Sequence, residues 1–569
     1  MKGLTLLFAV FSFQVGFSQL QFQERATDLG ANFNYGTSTF GGGVSFVDFD
    51  NDGWDDLSYS SDETKKLHFL KNNSGIFSNI TLQGVNHVGR AKQVLWVDYD
   101  NDGDKDLFVA TIVGQNKLYE NNGSMIFTDI TASSGLFTND LSTYGAAFGD
   151  IDNDGDLDLM LCNRESNVNN RNYLYRNDNG TFVDITQSAG INMASELSFC
   201  SSMFDYDNDG DQDIYLVNDK YSYMNRMYRN NSDGTFTDVS DISGTGISID
   251  AMSGTISDYN NDGWFDIYVT NSDLGNQLLH NNGDGTFTNK ASETGTEFFS
   301  FAWGAVFLDA DNDTSLDLYV SGVLDGSSSM LSAAFYHNDG NQNYTIPPNI
   351  GFGTDTEKSY SNAIGDINNN GKPDIVVMNH ESDYFLWENQ TNTTNNWIKI
   401  KLEGVVSNKD GIGNRIEIHA NGQSQYRYTL CGEGYLGQNS NYEFVGISDA
   451  TNIDYIKVTW NKTGVVETIN NIQPNQAITI QEGNGVLSTT NEELQGFSIY
   501  PNPSADGVYQ INGKKSSIMK VSVFDFQGKH LLNELTTDNQ INLSVLSNGI
   551  YILKIRIGDK TLIHKVIKN

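Results

Sequence analysis

The chain is short of several things at once: three cysteines, six prolines and 34 basic residues in a length of 569. Cys162, Cys200 and Cys431 build no disulfide framework and match no metal-ligand spacing. They are expected as buried free thiols, the alternative being a Cys162–Cys200 pair across neighbouring repeats. The 34 Lys and Arg face 72 Asp and Glu, a net charge of −38. That balance excludes nucleic acid and anionic membrane as partners, since phosphate binding needs the opposite sign. Disorder is excluded as well, because 38% hydrophobic and 12% aromatic residues can bury a core. Long apolar runs are missing except one, Leu4 to Phe17 after Lys2, which is too short to span a bilayer comfortably. With small residues at Gly16 and Ser18, it reads as a signal peptide over residues 1–18, cleaved after Ser18. The mature protein is therefore expected to be exported, soluble and monomeric, with no transmembrane segment. The shortage of proline beside 55 glycines points to many tight turns between strands.

What is plentiful is aspartate, in a pattern that occurs seven times. The copies are "DFDNDGWDDL" at 48, "DYDNDGDKDL" at 98, "DIDNDGDLDL" at 150, "DYDNDGDQDI" at 205, "DYNNDGWFDI" at 258, "DADNDTSLDL" at 309 and "DINNNGKPDI" at 366. Their starts lie 50 to 57 residues apart, a period proper to propellers and related arrays. A strand of small or alternating residues precedes each copy and an apolar strand follows it. Further on, segments such as "NYLYRNDNGTFVDIT" (172–186) read as a strand, an Asn/Gly turn and an outer strand. Asn72, Asn121, Asn177, Asn230, Asn281, Asn338 and Asn389 fill the same turn position. Four strands per repeat over seven repeats predict an all-β fold, a seven-bladed β-propeller over residues 19–395. The last repeat lacks its outer strand after "YFLWENQ" (384–390), and residues 20–28 are expected to supply it, leaving no open edge.

Within each copy, carboxylates or amides fall at positions 1, 3, 5 and 9, with Gly usually at 6. Calcium takes six to eight oxygens, so a tight loop must turn alternate side chains inward, with glycine at the sharp turn. An EF-hand would need Glu at position 12; here that position is Tyr59, Val109, Leu161, Leu216, Val269, Val320 and Val377. The loop is therefore strand–cation–strand. The predicted ligands are Asp48, Asp50, Asp52 and Asp56; Asp98, Asp100, Asp102 and Asp106; Asp150, Asp152, Asp154 and Asp158; Asp205, Asp207, Asp209 and Asp213. Weaker sites are expected at Asp258, Asn260, Asp262 and Asp266, and at Asp309, Asp311, Asp313 and Asp317, where Thr314 replaces the glycine. Asp366, Asn368, Asn370 and Asp374 make a weak or empty seventh site. About four to six structural Ca2+ are expected, each held with a Kd of roughly 10⁻⁴–10⁻³ M, as in other extracellular modules.

These repeats resemble FG-GAP/VCBS repeats, the calcium-bearing blades of integrin-like propellers, which implies a rigid extracellular scaffold. Residues 396–483 drop the repeat and read as a compact β domain. Through "SNKDGIGNRIEI", "GEGYLGQNS", "IDYIKVTW" and "NNIQPNQAITI" they resemble the ASPIC/UnbV domain of cartilage acidic protein-like chains. The family's Trp-Pro-x-Gly turn is "WNKTG" here, and its His before "FG" is Glu443. The resemblance implies no established catalytic residues. Residues 484–496 read as a linker. Residues 497–569 carry nine Lys and Arg against five Asp and Glu, opposite in sign to the rest. Their "YPNP" opening, "VFDFQGK" turn, "SNGIYILKI" and terminal "KVIKN" resemble the type A sorting domain of the type IX secretion system. That implies a β-sandwich, a Bacteroidota-type host, passage through the outer membrane by the type IX machinery, and removal of the tail.

No Ser, Cys or phosphate-cradling constellation stands out. His280 and His337 occupy a slot that is Lys71, Glu120, Arg176, Arg229 or Glu388 in sister repeats, which reads as an exposed strand position. Trp54 and Trp264, at position 7 of two loops, are possible ligand contacts or packing residues. Two functions fit: a secreted or cell-surface calcium-binding module for adhesion to protein or glycan, or a polysaccharide lyase-like enzyme with a site in the propeller funnel. No catalytic residue is assigned.

Overall fold

Strand character in each repeat is graded by position. The first strand is built from small residues, as in Thr143–Gly149 (TYGAAFG), and the second from bulky aliphatic ones, as in Asp158–Asn163 (DLMLCN). Both are buried throughout, as strands covered on both faces must be. The computed structural model describes residues 19–37, 39–60, 62, 66–164, 171–324, 330–486 and, within 498–568, all but 501–502, 513–518, 526–528, 537–539 and 558–559. The expected signal peptide and the linker after 486 lie outside the described residues.

Among the described residues, seven four-stranded antiparallel sheets follow one another through 44–80, 90–129, 143–184, 198–238, 254–289, 302–345 and 359–389. Six of them take their strands in chain order. The seventh holds three consecutive strands and is completed by Phe22–Glu24, which pairs antiparallel with Phe385–Asn389 in the register Phe22↔Asn389. The first strands neighbour one another in sequence, and Ser359–Gly365 neighbours Val44–Val47, so the sheets close into a β-propeller. The N-terminal strand thus becomes the outer strand of the last sheet and ties the two ends of the ring together. Phe22 is fully buried there, its ring 5.3 Å from Phe335 and 4.9 Å from Phe352. Aromatic side chains fill the wedges between sheets: Trp96 lies 4.8 Å from Phe49 and 5.8 Å from Phe69.

Strand alternation fixes the two faces. Turns joining first to second and third to fourth strands lie on one face, which therefore carries all the acidic loops. The second-to-third turns and the connections between sheets lie on the other.

The middle segment forms two packed four-stranded sheets. One holds Glu443–Ser448, Asn396–Glu403, Gln476–Gln481 and Gly485–Val486; the other Gln423–Tyr428, Arg415–Ala420, Ile453–Trp460 and Val465–Ile472. Alternate residues point inward, Ile398, Ile400 and Leu402 meeting Ile416, Ile418, Ile456 and Val458. It shares one compact unit with the propeller, while the described residues from Ser498 onward form a second unit. That second unit has a three-stranded and a four-stranded sheet around Tyr509, Val521, Val523, Ile541 and Leu553. The three cysteines are buried and free.

Because Phe22 anchors the closing strand, Phe22→Ala should cost about 3–5 kcal/mol. The check is a lowered urea midpoint for the variant.

Candidate functional site

Each acidic loop is a backbone cage built by its own carboxylates. The position-1 aspartate accepts from the amides of positions 5 and 6, as Asp150 does from Asp154 and Gly155, both at 3.0 Å. The same pair occurs in all seven loops, Asp366 accepting from Asn370 at 3.0 Å and Gly371 at 2.8 Å. The position-9 aspartate ties the loop to its sheet: Asp158 accepts from Ile151 N at 2.8 Å and from Asn177 N at 2.7 Å. Positive φ is required at positions 4 and 6, where Asn153 has 56° and Gly155 91°. Asparagine and glycine are the residues that tolerate it. Thr314 adopts 88° where the other loops have glycine, a strained conformation for a β-branched residue.

Two asparagines per repeat bind most of the loops to their neighbours. Asn177 Nδ2 donates to Leu157 O at 3.2 Å and to Tyr99 O of the preceding loop at 2.9 Å. Asn72, Asn230, Asn281 and Asn389 make the same inter-sheet stitch. The position-4 asparagine reaches the following loop: Asn101 to Gly155 O at 2.9 Å, and Asn369 across the closing seam to Gly53 O at 2.9 Å. The turn asparagines were legible as turn residues. Their reach into the next sheet was not, although position 4 is asparagine in every copy.

The structure gathers the predicted ligands unevenly. Positions 1, 3 and 9 converge in loops 1 to 4, with oxygens of Asp48, Asp50 and Asp56, of Asp98, Asp100 and Asp106, of Asp150, Asp152 and Asp158, and of Asp205, Asp207 and Asp213 each within 4.8 Å of one another. In loop 6 the trio is Asp309, Asp311 and Asp313. Position 5 in loops 1 to 4 turns instead to its own backbone, Asp52 accepting from Trp54 N at 3.1 Å. Among the described residues loops 5 and 7 bring together no such trio. Three buried oxygens at position 3, Asp50 Oδ1, Asp207 Oδ1 and Asp311 Oδ1, have no hydrogen-bond partner among the described residues. Burial, reinforced by the neighbouring carboxylates, pushes Asp56 and Asp106 up to about 9 and Asp150 and Asp205 up to about 7. Clustered, buried and orphaned carboxylate oxygens fit a hard cation, which would supply the missing positive charge.

The slot read as an exposed strand position differs in the structure. Arg229 is exposed as expected, but Lys71, His280, His337 and Glu388 are partly buried and face the loop, because their strand lies beside the second one. Lys71 Nζ contacts Asp50 and lies 2.8 Å from Asp52; His280 Nδ1 is 3.0 Å from Asp266 and His337 Nδ1 2.8 Å from Asp317. Glu388 accepts from Arg25 at 2.5 Å. Trp54 and Trp264 are half-buried, and Trp264 covers Gly283 in its own sheet's outer turn.

The FG-GAP-like repeat model matches residues 48–109, 98–161, 205–269 and 258–320, the ASPIC and UnbV model 404–487, and the secretion system C-terminal sorting domain model 498–569. The chain carries FG-GAP-like repeats, an ASPIC/UnbV domain and a secretion system C-terminal sorting domain. No curated protein matches it significantly. Among solved structures it is similar to a B. thetaiotaomicron extracellular domain described as part of a hybrid two-component system, at 10% identity and a TM-score of 0.36. That match covers 97% of this chain and 59% of the other, so the chain spans little more than half its length. Saccharomyces cerevisiae Sqt1 matches at 10% identity and a TM-score of 0.40, over 63% of this chain and 98% of that one. The sorting tail assigns the chain to type IX secretion and to the extracellular or cell-surface space. Among the described residues no helix is long and apolar enough to cross a membrane.

The ASPIC/UnbV domain sits on the acidic face and contacts every FG-GAP loop. Its handle is position 8, buried in all seven copies and variable in kind: Asp55, Lys105, Leu157, Gln212, Phe265, Leu316 and Pro373. Ser440 Oγ donates to Asp55 at 2.8 Å, Asp410 pairs with Lys105, Ile412 packs with Leu157, and Tyr428 meets Gln212 at 3.3 Å and the Phe265 ring at 5.2 Å. Arg415 bridges two loops, donating to Asn208 Oδ1 at 2.8 Å and Gly263 O at 2.9 Å. A segment from Leu430 to Ser440 enters the propeller axis and pairs with the inward edges of the first strands. Cys431 O accepts from Phe148 N at 3.0 Å, and Gln438 O accepts from Phe46 N at 2.9 Å. The Gln438 side chain closes a double hydrogen bond with the Trp96 backbone, both at 2.8 Å. Gly432 is required here, since a Cβ would lie 2.4 Å from Ala146 O. The signal for this docking was a position that varies in kind from copy to copy while the acidic positions around it repeat.

Two outcomes are expected. With chelator present, melting temperature should fall as pH rises from about 4 to about 9, because the raised carboxyls hold protons in the folded state that the unfolded chain releases near 3.8. Saturating divalent cation should flatten that slope in a differential scanning series. Thr314→Gly should raise stability by about 1 kcal/mol by relieving the left-handed backbone, read from urea melts.

Proposed function

We propose that this extracellular β-propeller protein is a calcium-stabilised binding module whose recognition surface is the face opposite the acidic loops. The observation that carries the calcium part is the set of buried, partly orphaned carboxylate trios in loops 1 to 4 and 6. In this reading Asp48, Asp98, Asp150, Asp205 and Asp309, with the other two members of each trio, hold calcium, and the ions fix the loops rather than react. Calcium is favoured by the all-oxygen donor set and by an environment where the ion is plentiful.

The placement of the recognition surface follows from what is already covered. The acidic face carries the ASPIC/UnbV domain. On the opposite face, turns between strands and connections between sheets expose Val113, Tyr221, Leu274, Phe299 and Met330. The Phe299 ring lies against Gly275, the residue after Leu274, since a Cβ there would be 3.1 Å from it. Exposed aromatic and aliphatic groups of this kind serve recognition of protein or glycan. An enzyme working in the funnel would need that space open. The axis is packed instead, with Trp303 4.9 Å from Tyr435, 4.7 Å from Tyr360 and 5.4 Å from Phe40.

Purified protein screened against polysaccharides and cell-surface proteins should retain a ligand without releasing product, and Phe299→Ser should weaken retention. Product release would overturn the binding reading. Calcium should raise the melting temperature, and Asp152→Asn should shrink that rise; no calcium effect on melting would defeat the scaffold claim.

A further inference from the structure

Loop 7 has the same backbone cage as its sisters but different electrostatics. Its position-1 carboxylate, Asp366, is fully buried and accepts from Lys399 Nζ of the ASPIC/UnbV domain at 2.9 Å. The same ammonium lies 2.7 Å from Asn369 Oδ1 and over the rings of Tyr442 and Phe444, 5.1 and 5.8 Å from their centroids. Lys399 is itself 2% exposed, so it has no route to solvent without undocking. The loop's other acid in the strand slot, Glu388, is held by Arg25 at 2.5 Å and accepts from Asn368 at 3.0 Å. Amides replace carboxylates at positions 3 and 5. Loop 7 therefore does not fit a divalent ion: Asp366 and Glu388 already have basic partners, one from the neighbouring domain and one beside the N-terminal strand, and Asp374 alone remains, accepting from Ile367 N at 2.7 Å and Asn389 N at 2.6 Å. Lys71 in loop 1 is a different case, 29% exposed and able to swing out of the way.

The seat of Lys399 is also the closing seam of the propeller. Asp366 N donates to Asp55 of loop 1 at 3.0 Å, and Asp55 in turn accepts from Ser440 of the ASPIC/UnbV domain.

We propose that loop 7 is not a metal site and that its cation is the Lys399 ammonium, so that docking of the ASPIC/UnbV domain does at the closing seam what the metal ion does in the other loops. This rests on the reading that those loops take calcium, and the test separates the two. In the full chain, bound calcium is counted by equilibrium dialysis, and melting is followed in chelator. Asp366→Asn should leave the wild-type calcium count unchanged, whereas Asp152→Asn should lower it by one. In chelator, Lys399→Met should melt lower by on the order of 5 °C, because a buried carboxylate loses its only strong counter-charge. Lys399→Met combined with Asp366→Asn should recover most of that loss. A count lowered by one in Asp366→Asn would overturn the proposal, as would single and double variants that melt alike in chelator. If the wild-type protein bound no calcium, the metal reading would fail, and the chelator melts alone would decide the role of Lys399.

Discussion

The buried aspartate at the start and end of each loop is the constraint on which the rest depends. A carboxylate that accepts two backbone amides fixes a tight turn, but burying that charge is costly unless a cation or a hydrogen-bond network compensates it. Loop by loop the chain meets this demand differently. Asp150 has the open carboxylate cluster of its loop, His337 leans on Asp317, and Lys399 reaches Asp366 from another domain. The loops are thus the rigid centre of the fold and also its electrostatic debt.

That debt explains why the propeller and the ASPIC/UnbV domain form one unit. A propeller leaves the inward edges of its first strands unpaired around the axis, and buried backbone groups need partners. The segment from Leu430 to Ser440 supplies them, with Gln438 paired to Trp96 and Tyr435 set among Phe199, Trp303 and Tyr360. Around this plug, Lys399, Lys401, Arg415 and Lys462 bring positive groups to an acidic ring. Docking therefore joins a hydrophobic seal at the axis to charge compensation around the acidic loops.

Much of this was legible in the chain before any fold was known. The seven-fold aspartate pattern carried the all-β class and the loops, and the missing outer strand after residue 390 pointed to the N-terminus as its replacement. The strand that arrives is Phe22–Glu24, inside the expected 20–28. The strand slot of Lys71, His280 and Glu388 was not legible as a loop-facing position, because its mixed charges look like surface until the neighbouring strand is placed. Asn177 was legible as a residue of a turn, which is local, and not as a stitch between sheets, which joins residues more than fifty positions apart.

Sequence alone determined what repeats: strand periodicity, turn residues with positive φ and alternate acidic side chains are all set within ten or so neighbouring residues, so they can be read from spacing. Tertiary structure decided what does not repeat. Position 8 looks like noise in a list of copies, yet in loops 1 to 5 it is where the loop meets one asymmetric domain. Asp55, Lys105, Leu157 and Phe265 differ because Ser440, Asp410, Ile412 and Tyr428 differ. A charge such as that of Asp366 is compensated by whichever cation lies nearest in space, and only the fold brings Lys399 there.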